Sequence, residues 1–229
     1  MGEITYDLII EPAGLSSMIA ALAMHERGFK VAFHQQQPQT IEWPESAYVA
    51  LNLHSKQLLN SLDINPKHGT TFNAIQVEMN HEPLRFSAAD IFQQSLATVL
   101  PLKELAQACH EKIKDIPVSS AHQPWQQQGN YLLKTKHSDT TTDSILPHYV
   151  STALIHTNDI PDNTATQFFR IHEVFGILPT ELKNRFALIH SAPQPLSTDR
   201  LQARLKLLGV NATHIEAHQP YFKIKMYHK

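Results

Sequence analysis

Apolar positions in the first 35 residues of the chain change period twice. Tyr6-Asp7-Leu8-Ile9-Ile10 is a short apolar run rich in branched side chains, the pattern of a strand buried on both faces. Pro12-Ala13-Gly14 breaks it. Leu15, Met18, Ile19, Leu22 and Ala23 then recur at helical spacing, so an amphipathic helix of about three turns follows, and Gly28 stops it. Lys30-Val31-Ala32-Phe33-His34 reads as a second strand. Strand, helix and strand within about 30 residues make a βαβ unit, whose strands are parallel and whose crossover is right-handed.

Beyond this unit the pattern loosens before it sharpens again. Gln35 to Pro44 is a glutamine- and proline-rich loop, after which Ala50, Leu51, Leu53, Leu58, Leu59 and Leu62 predict a helix ending near Asp63. Ala74–Met79 and Leu84–Phe86 predict a hairpin around Asn80-His81-Glu82-Pro83. Leu102–Ile116 predicts a helix with Leu105, Cys109, Lys112 and Ile113 on one face, and Pro117–Asn130 a loop. Strands follow at Tyr131–Thr135, His148–His156, Thr164–Ile171, Phe175–Pro179, Arg185–His190 and Tyr221–Tyr227. One helix interrupts them, opened by Ser197-Thr198-Asp199 as its N-cap and carrying Leu201, Leu205 and Leu208. The reading is therefore α/β, with residues 1–70 and 95–145 as a Rossmann-like part and 71–94 and 146–229 as a β-rich sheet part.

Composition narrows the function classes. Of 229 residues, 42% are hydrophobic and 17% charged, which suits a globular chain with a real core. Nineteen basic against 21 acidic residues leave a net charge of -2, with no basic surplus for a phosphate backbone, so nucleic acid is not expected as a partner. The lone Cys109 forms no internal disulfide and fits a reducing compartment. No apolar run reaches the ~20 residues of a membrane span, so a cytoplasmic protein without a transmembrane segment is expected. Seven glycines are few for a chain of this length, and phosphate-cradling loops are made of glycine.

The order of these pieces resembles a known family. Asp7-Leu8-Ile9-Ile10, the helix from Met18 to Arg27 and Gly28-Phe29-Lys30-Val31-Ala32 are similar to the opening of the flavin-dependent ubiquinone-biosynthesis hydroxylases, the UbiH/UbiF/VisC group. Ala50-Leu51 with Ser55 and Leu58-Leu59, then Leu84 to Ile91, continue the likeness. Thr152 to Ile155, Thr164-Ala165-Thr166-Gln167-Phe168-Phe169 and Ile177-Leu178-Pro179 resemble that family's substrate sheet. The resemblance implies a Rossmann-like FAD-domain-type half plus a substrate-domain-type sheet, as in a truncated aromatic-hydroxylase flavoprotein. It also implies that Gln167, Phe169, Leu178 and Pro179 lie near a prenylated ring substrate or a partner surface.

Departures from the family fall at the cofactor. Its three fingerprint glycines align with Pro12, Gly14 and Ser17. Pro12 lacks an N–H, Ser17 adds a side chain where helix and strand pack, and Glu11 brings a charge that costs roughly 3 kcal/mol at ~6 Å from a phosphate. The acidic residue for the ribose aligns with Gln35 or His34, a loss of about 1.5–3 kcal/mol. The family's phosphate-binding arginine falls on Ala47, its Asp-Gly motif near His137-Ser138, and its Gly-Asp motif lies beyond Lys229. The expected cofactor is therefore none, with FAD implied by the resemblance alone and Gly14, Ser16, Ser17 and Gln35 as the remnant of its site. The helix terminus at Ser16 and Ser17 also suits an anion.

Fifteen histidines raise a metal question, but no chelating motif occurs and no metal is expected. No acid, base or nucleophile stands out, and Cys109 reads as core. Three functions fit the sequence. The chain is a non-catalytic relative acting as an accessory or binding subunit in quinone biosynthesis, reaching the inner membrane through partners; or an FAD-dependent prenylphenol monooxygenase completed by another chain; or a small-ligand or anion-binding module. A protein partner or self-association is expected in the first two cases, because apolar surface covered in the family would be left exposed.

Overall fold

A computed structural model describes residues 6–12, 14–39, 42–79, 82–119, 129–133 and 149–223. The chain divides into two compact units, residues 1–42, 57–66 and 104–140 in one, and 43–56, 67–103 and 141–229 in the other.

The first unit holds a four-stranded parallel sheet in the order β8-β2-β1-β9, where β1 is Tyr6–Ile10, β2 Val31–His34, β8 Val118–Ser119 and β9 Gly129–Leu133. Helix α1, Leu15–His25, makes the crossover from β1 to β2. It buries Ser17, Met18, Ala21 and Leu22, and Gly28 at φ +85 ends the turn after it. Because Ile9, Ile10, Ala32 and Phe33 are all fully buried, both faces of these strands are covered, as a parallel sheet requires. Helix α3, Leu102–Lys112, turns a stripe of Leu105, Ala106 and Cys109 inward. Burial pushes the Cys109 thiol up to about 12, so it stays protonated and unreactive.

The second unit is built on a seven-stranded mixed sheet in the order β14-β10-β13-β12-β11-β5-β6. Its strands are β5 Ala74–Met79, β6 Glu82–Ser87, β10 Tyr149–His156, β11 Thr164–Phe169, β12 Val174–Pro179, β13 Arg185–Ala192 and β14 His214–Lys223. Helix α4, Thr198–Leu207, lays Leu201 and Leu205 on one face, over Ala153, Ile155, Phe175, Phe186 and Leu188. A small sheet of β3 Tyr48–Asn52, β7 Ala97–Pro101 and β4 Thr70–Phe72 supplies Tyr48, Phe72 and Val99 to the other face, against Leu154, Ala165 and Ala187. Ser46 and Thr152 share a buried hydroxyl bond of 2.8 Å there.

Several expectations need correction. Ala50 and Leu51 lie in strand β3, and helix α2 begins only at Leu53 and ends at Ser61, because Val49, Ala50 and Leu51 are drawn into a ladder with β7. The segment Ala97–Pro101 is itself a strand that the sequence reading passed over. The loop expected from Pro117 contains β8, which the parallel edge of β2 recruits. Ser197 is the N-cap of α4 by backbone alone, with no side-chain bond. The centre of the expected hairpin, Asn80-His81, lies outside the described residues, as do His137-Ser138, His148 and residues 224–227.

Candidate functional site

The turn from β1 into α1 is made of backbone. Gly14 sits at φ 91, ψ -155, a region essentially closed to residues with a Cβ. Its carbonyl accepts the amides of Ser17 and Met18 at 3.2 Å each and the Ser17 hydroxyl at 2.7 Å. The Ser17 side chain is thus folded under the first turn and fully buried, rather than standing in the space before the helix. Ser16 points to solvent. No side chain caps α1 and no acidic residue lies in its first turn, so the positive end of the helix dipole faces the turn. Glu11 and Pro12 are half-buried beside it.

At the end of β2, Gln35 adopts φ 64 and donates its amide to the Ser119 carbonyl at 2.8 Å. Its side chain is exposed, next to half-buried His34. Gln37 ties the following loop to the Ile116 carbonyl at 2.6 Å. The structure therefore places Gly14, Ser16 and Ser17 at one helix terminus and Gln35 at the tip of the adjacent parallel strand.

In the second unit, pleat parity sorts the predicted quartet. Gln167 and Phe169 share a face with Ala165, and antiparallel pairing puts Gly176 and Val174 opposite them, so Leu178 is on that face too. Pro179 follows Phe175 and Ile177 to the face covered by α4. Parallel pairing with β5 then aligns Gln167 with Val77 and Phe169 with Met79, and β6 adds Leu84 opposite Val77 and Phe86 opposite Ile75. Met79, Leu84 and Phe86 are 52%, 56% and 53% exposed, so this end of the face is apolar and open, while Tyr48, Phe72 and Val99 close the other end. The sequence pattern predicts the hairpin that holds Val77, Met79, Leu84 and Phe86 without placing them on this face. Their signal was present, since Ile75, Val77 and Met79 alternate with Gln76 and Glu78.

Among the described residues no three histidine, cysteine or acidic side chains converge as metal ligands. His214 and His218 lie on β14. His156 Nε2 meets the Glu216 carboxylate at 3.0 Å, and Arg185 Nε donates to the same oxygen at 2.8 Å, so the partners hold Glu216 below the usual carboxylate range. No helix among the described residues is long and apolar enough to cross a membrane.

No family model matches this sequence, and no curated protein matches it. Solved structures do match by fold. HpxO of Klebsiella pneumoniae, complexed with FAD and uric acid, is similar over 96% of this chain and 68% of its own, at 15% identity and a TM-score of 0.64. PqsL of Pseudomonas aeruginosa, a probable FAD-dependent monooxygenase, matches over 94% of this chain and 72% of its own, with 12% identity and a TM-score of 0.66. A 2-methyl-3-hydroxypyridine-5-carboxylic acid oxygenase matches over 96% and 70%, with 12% identity and a TM-score of 0.69. A tetrameric form of that oxygenase is also similar. The chain spans 62% of the HpxO variant solved with FAD and 50% of a peptidyl tryptophan dihydroxylase.

The fold is that of the FAD-dependent monooxygenases, as a Rossmann-like part and a substrate-domain-type sheet. The ubiquinone branch within them is not distinguished by these likenesses. The expectation of no cofactor is overturned: structures sharing this fold hold FAD. The turn itself is compatible with the group. Gly14 keeps a backbone that only glycine favours, Ser17 is turned inward, and the terminus of α1, with no side-chain cap and no acidic residue in its first turn, suits a pyrophosphate, Glu11 being the one acidic group beside it. Ser17 therefore costs less than its bulk suggested, because its hydroxyl is spent on the Gly14 carbonyl.

Proposed function

We propose that this chain is an FAD-binding protein of the flavin hydroxylase kind, acting on an apolar ring substrate. The observation that carries the reading is the Gly14 turn, whose backbone is shaped for close approach at the terminus of a helix with no cap and no acidic residue. Gly14 and the first amides of α1 would hold the pyrophosphate, and the Gln35 amide side chain would meet the ribose in place of a carboxylate. Bound FAD supplies the redox chemistry of hydroxylation, for which the protein provides orientation and a dry surface. Gln167, Phe169 and Leu178, with Val77, Leu84 and Phe86, form the apolar surface that would receive the ring, Gln167 adding one polar anchor.

The finer assignment is to prenylated quinone precursors. It is supported by Thr164-Ala165-Thr166-Gln167-Phe168-Phe169 and Ile177-Leu178-Pro179, which lie on the adjacent strands β11 and β12. A second reading, an accessory subunit that presents the ring to a partner chain, is favoured by the exposure of Met79, Leu84 and Phe86. Equilibrium dialysis with FAD, followed by oxygen uptake with NAD(P)H and a prenylphenol, separates the cases. FAD binding with substrate-dependent oxygen uptake supports the hydroxylase. FAD and prenylphenol binding without uptake supports the accessory subunit, and no FAD binding contradicts both.

A further inference from the structure

On the far side of the seven-stranded sheet, away from the apolar face described above, a groove runs along α4. The tight turn Arg170–Glu173 between β11 and β12, closed by mutual backbone bonds of 2.9 and 3.4 Å, forms one wall. Helix α4 forms the other with Arg200, Ala203, Arg204 and Leu207, spaced three, four and seven apart beside the buried Leu201–Leu205 stripe. Ala192 and Leu196 lie along its floor. The main cleft is about 600 Å³ and continues past the turn into a further hollow of about 410 Å³, within the range that takes small organic ligands.

The charges of the groove do not cancel. Arg170 is neutralised by Glu78 at 2.5 Å and lies over the Phe168 ring, 5.7 Å from its centre. Arg204 reaches Glu173 at 3.5 Å, a loose pair with half of the guanidinium side chain in solvent. Arg200 lines the same cleft and, among the described residues, forms no ion pair. One positive charge is left over, beside apolar Ala192, Leu196, Ala203 and Leu207. The arrangement matches a compact apolar body that carries one anionic group.

We propose that this groove is a second ligand site, separate from the proposed FAD and ring sites, that binds an aromatic or aliphatic monocarboxylate. Arg200 and Arg204 grip the carboxylate, which displaces Glu173 from Arg204, and the side chains of Leu196 and Leu207 cover the apolar body. Arginine suits this role because its planar fork matches the two oxygens of a carboxylate.

The test uses the full chain, with and without added FAD, titrated with naphthoate and with its neutral isostere naphthamide. Naphthoate is expected to bind roughly 10- to 100-fold more tightly, the worth of one charge-assisted hydrogen bond. Arg200→Gln should weaken naphthoate at least about tenfold and leave the melting temperature unchanged, since the side chain is exposed and in no ion pair among the described residues. Glu173→Gln removes the competing carboxylate and should tighten binding. Equal affinity for the two probes, no binding of naphthoate, or binding indifferent to Arg200→Gln would each overturn the proposal. Because no step involves flavin, failure here leaves the FAD reading standing, and loss of FAD binding leaves this site standing.

Discussion

Under the proposed function the Gly14 turn of the first unit would meet its ligand with backbone, whereas the seven-stranded sheet of the second unit would meet it with side chains. This difference explains why the two were not equally readable. A turn that works through main-chain amides and a helix dipole keeps its geometry when Pro12 and Ser17 replace glycines, as long as Gly14 holds φ 91 and Ser17 turns its hydroxyl onto the Gly14 carbonyl. The surface proposed for Gln167, Phe169, Leu178 and Phe86 is made of side chains and would change with every substitution. Counting lost residues therefore overstates the damage in the first case and measures it fairly in the second.

Substitutions can sharpen this contrast, the largest effect coming from the covered side of the sheet. Phe186 is fully buried under α4, and Phe186→Ala should cost about 3–5 kcal/mol in urea denaturation. If it costs under ~1 kcal/mol, the α4 face is not the core described here. Next comes pH. His190 lies at the same interface, 2% exposed, its Nδ1 3.4 Å from the Ser151 hydroxyl, its ring 4.5 Å from Phe175 and its Nε2 without a partner among the described residues. Burial, with the nearby His218 and Arg204 charges, lowers its pKa from 6.5 to about 4. Burial moves His218 the same way.

The sign follows from the neutral form being favoured by folding. Well above pH 6.5 His190 is neutral in both states and contributes no pH dependence. As pH falls toward 4 the unfolded chain takes up a proton that the folded chain resists, so stability drops by on the order of 3 kcal/mol. Denaturation at pH 7 and pH 5 should show the loss, and His190→Phe should flatten it. An unchanged slope would remove His190 as its source.

Smaller effects belong to the turn and to the open face. Gly14→Ala forces a Cβ into a region that disfavours it and should cost about 1–3 kcal/mol. Ser17→Ala loses one hydrogen bond, about 1 kcal/mol, with a shallower fall in FAD affinity than Gly14→Ala gives. Thermal melts of the two variants should fall in that order. At 53% exposed, Phe86→Ser should move stability by only about 0.5 kcal/mol yet weaken binding of an apolar ring compound, which calorimetry would show.

Much of the architecture was legible because period reports burial. Leu8-Ile9-Ile10 reads as a doubly covered strand and is one, and Val31-Ala32-Phe33, which reads only as a strand, is buried on both faces as well. The alternation in β11 and β12 reported two faces, although Pro179 was grouped with Leu178, its neighbour one residue away, which the pleat sends to the opposite side. The small sheet was hidden. Ala50 and Leu51 are strong helix formers that β7 pulls into a strand, a tertiary effect no local propensity records. The shape of the turn was not legible, because φ at Gly14 and the direction of the Ser17 hydroxyl are conformations, which composition does not state.

The most direct measurement is FAD bound per chain after incubation and desalting, compared between the native sequence and Gly14→Val. The account predicts flavin co-eluting at about one per chain with the native sequence and eluting free with the variant, while both keep the same circular dichroism. Flavin that elutes free from the native protein, or is retained equally by both, would contradict it.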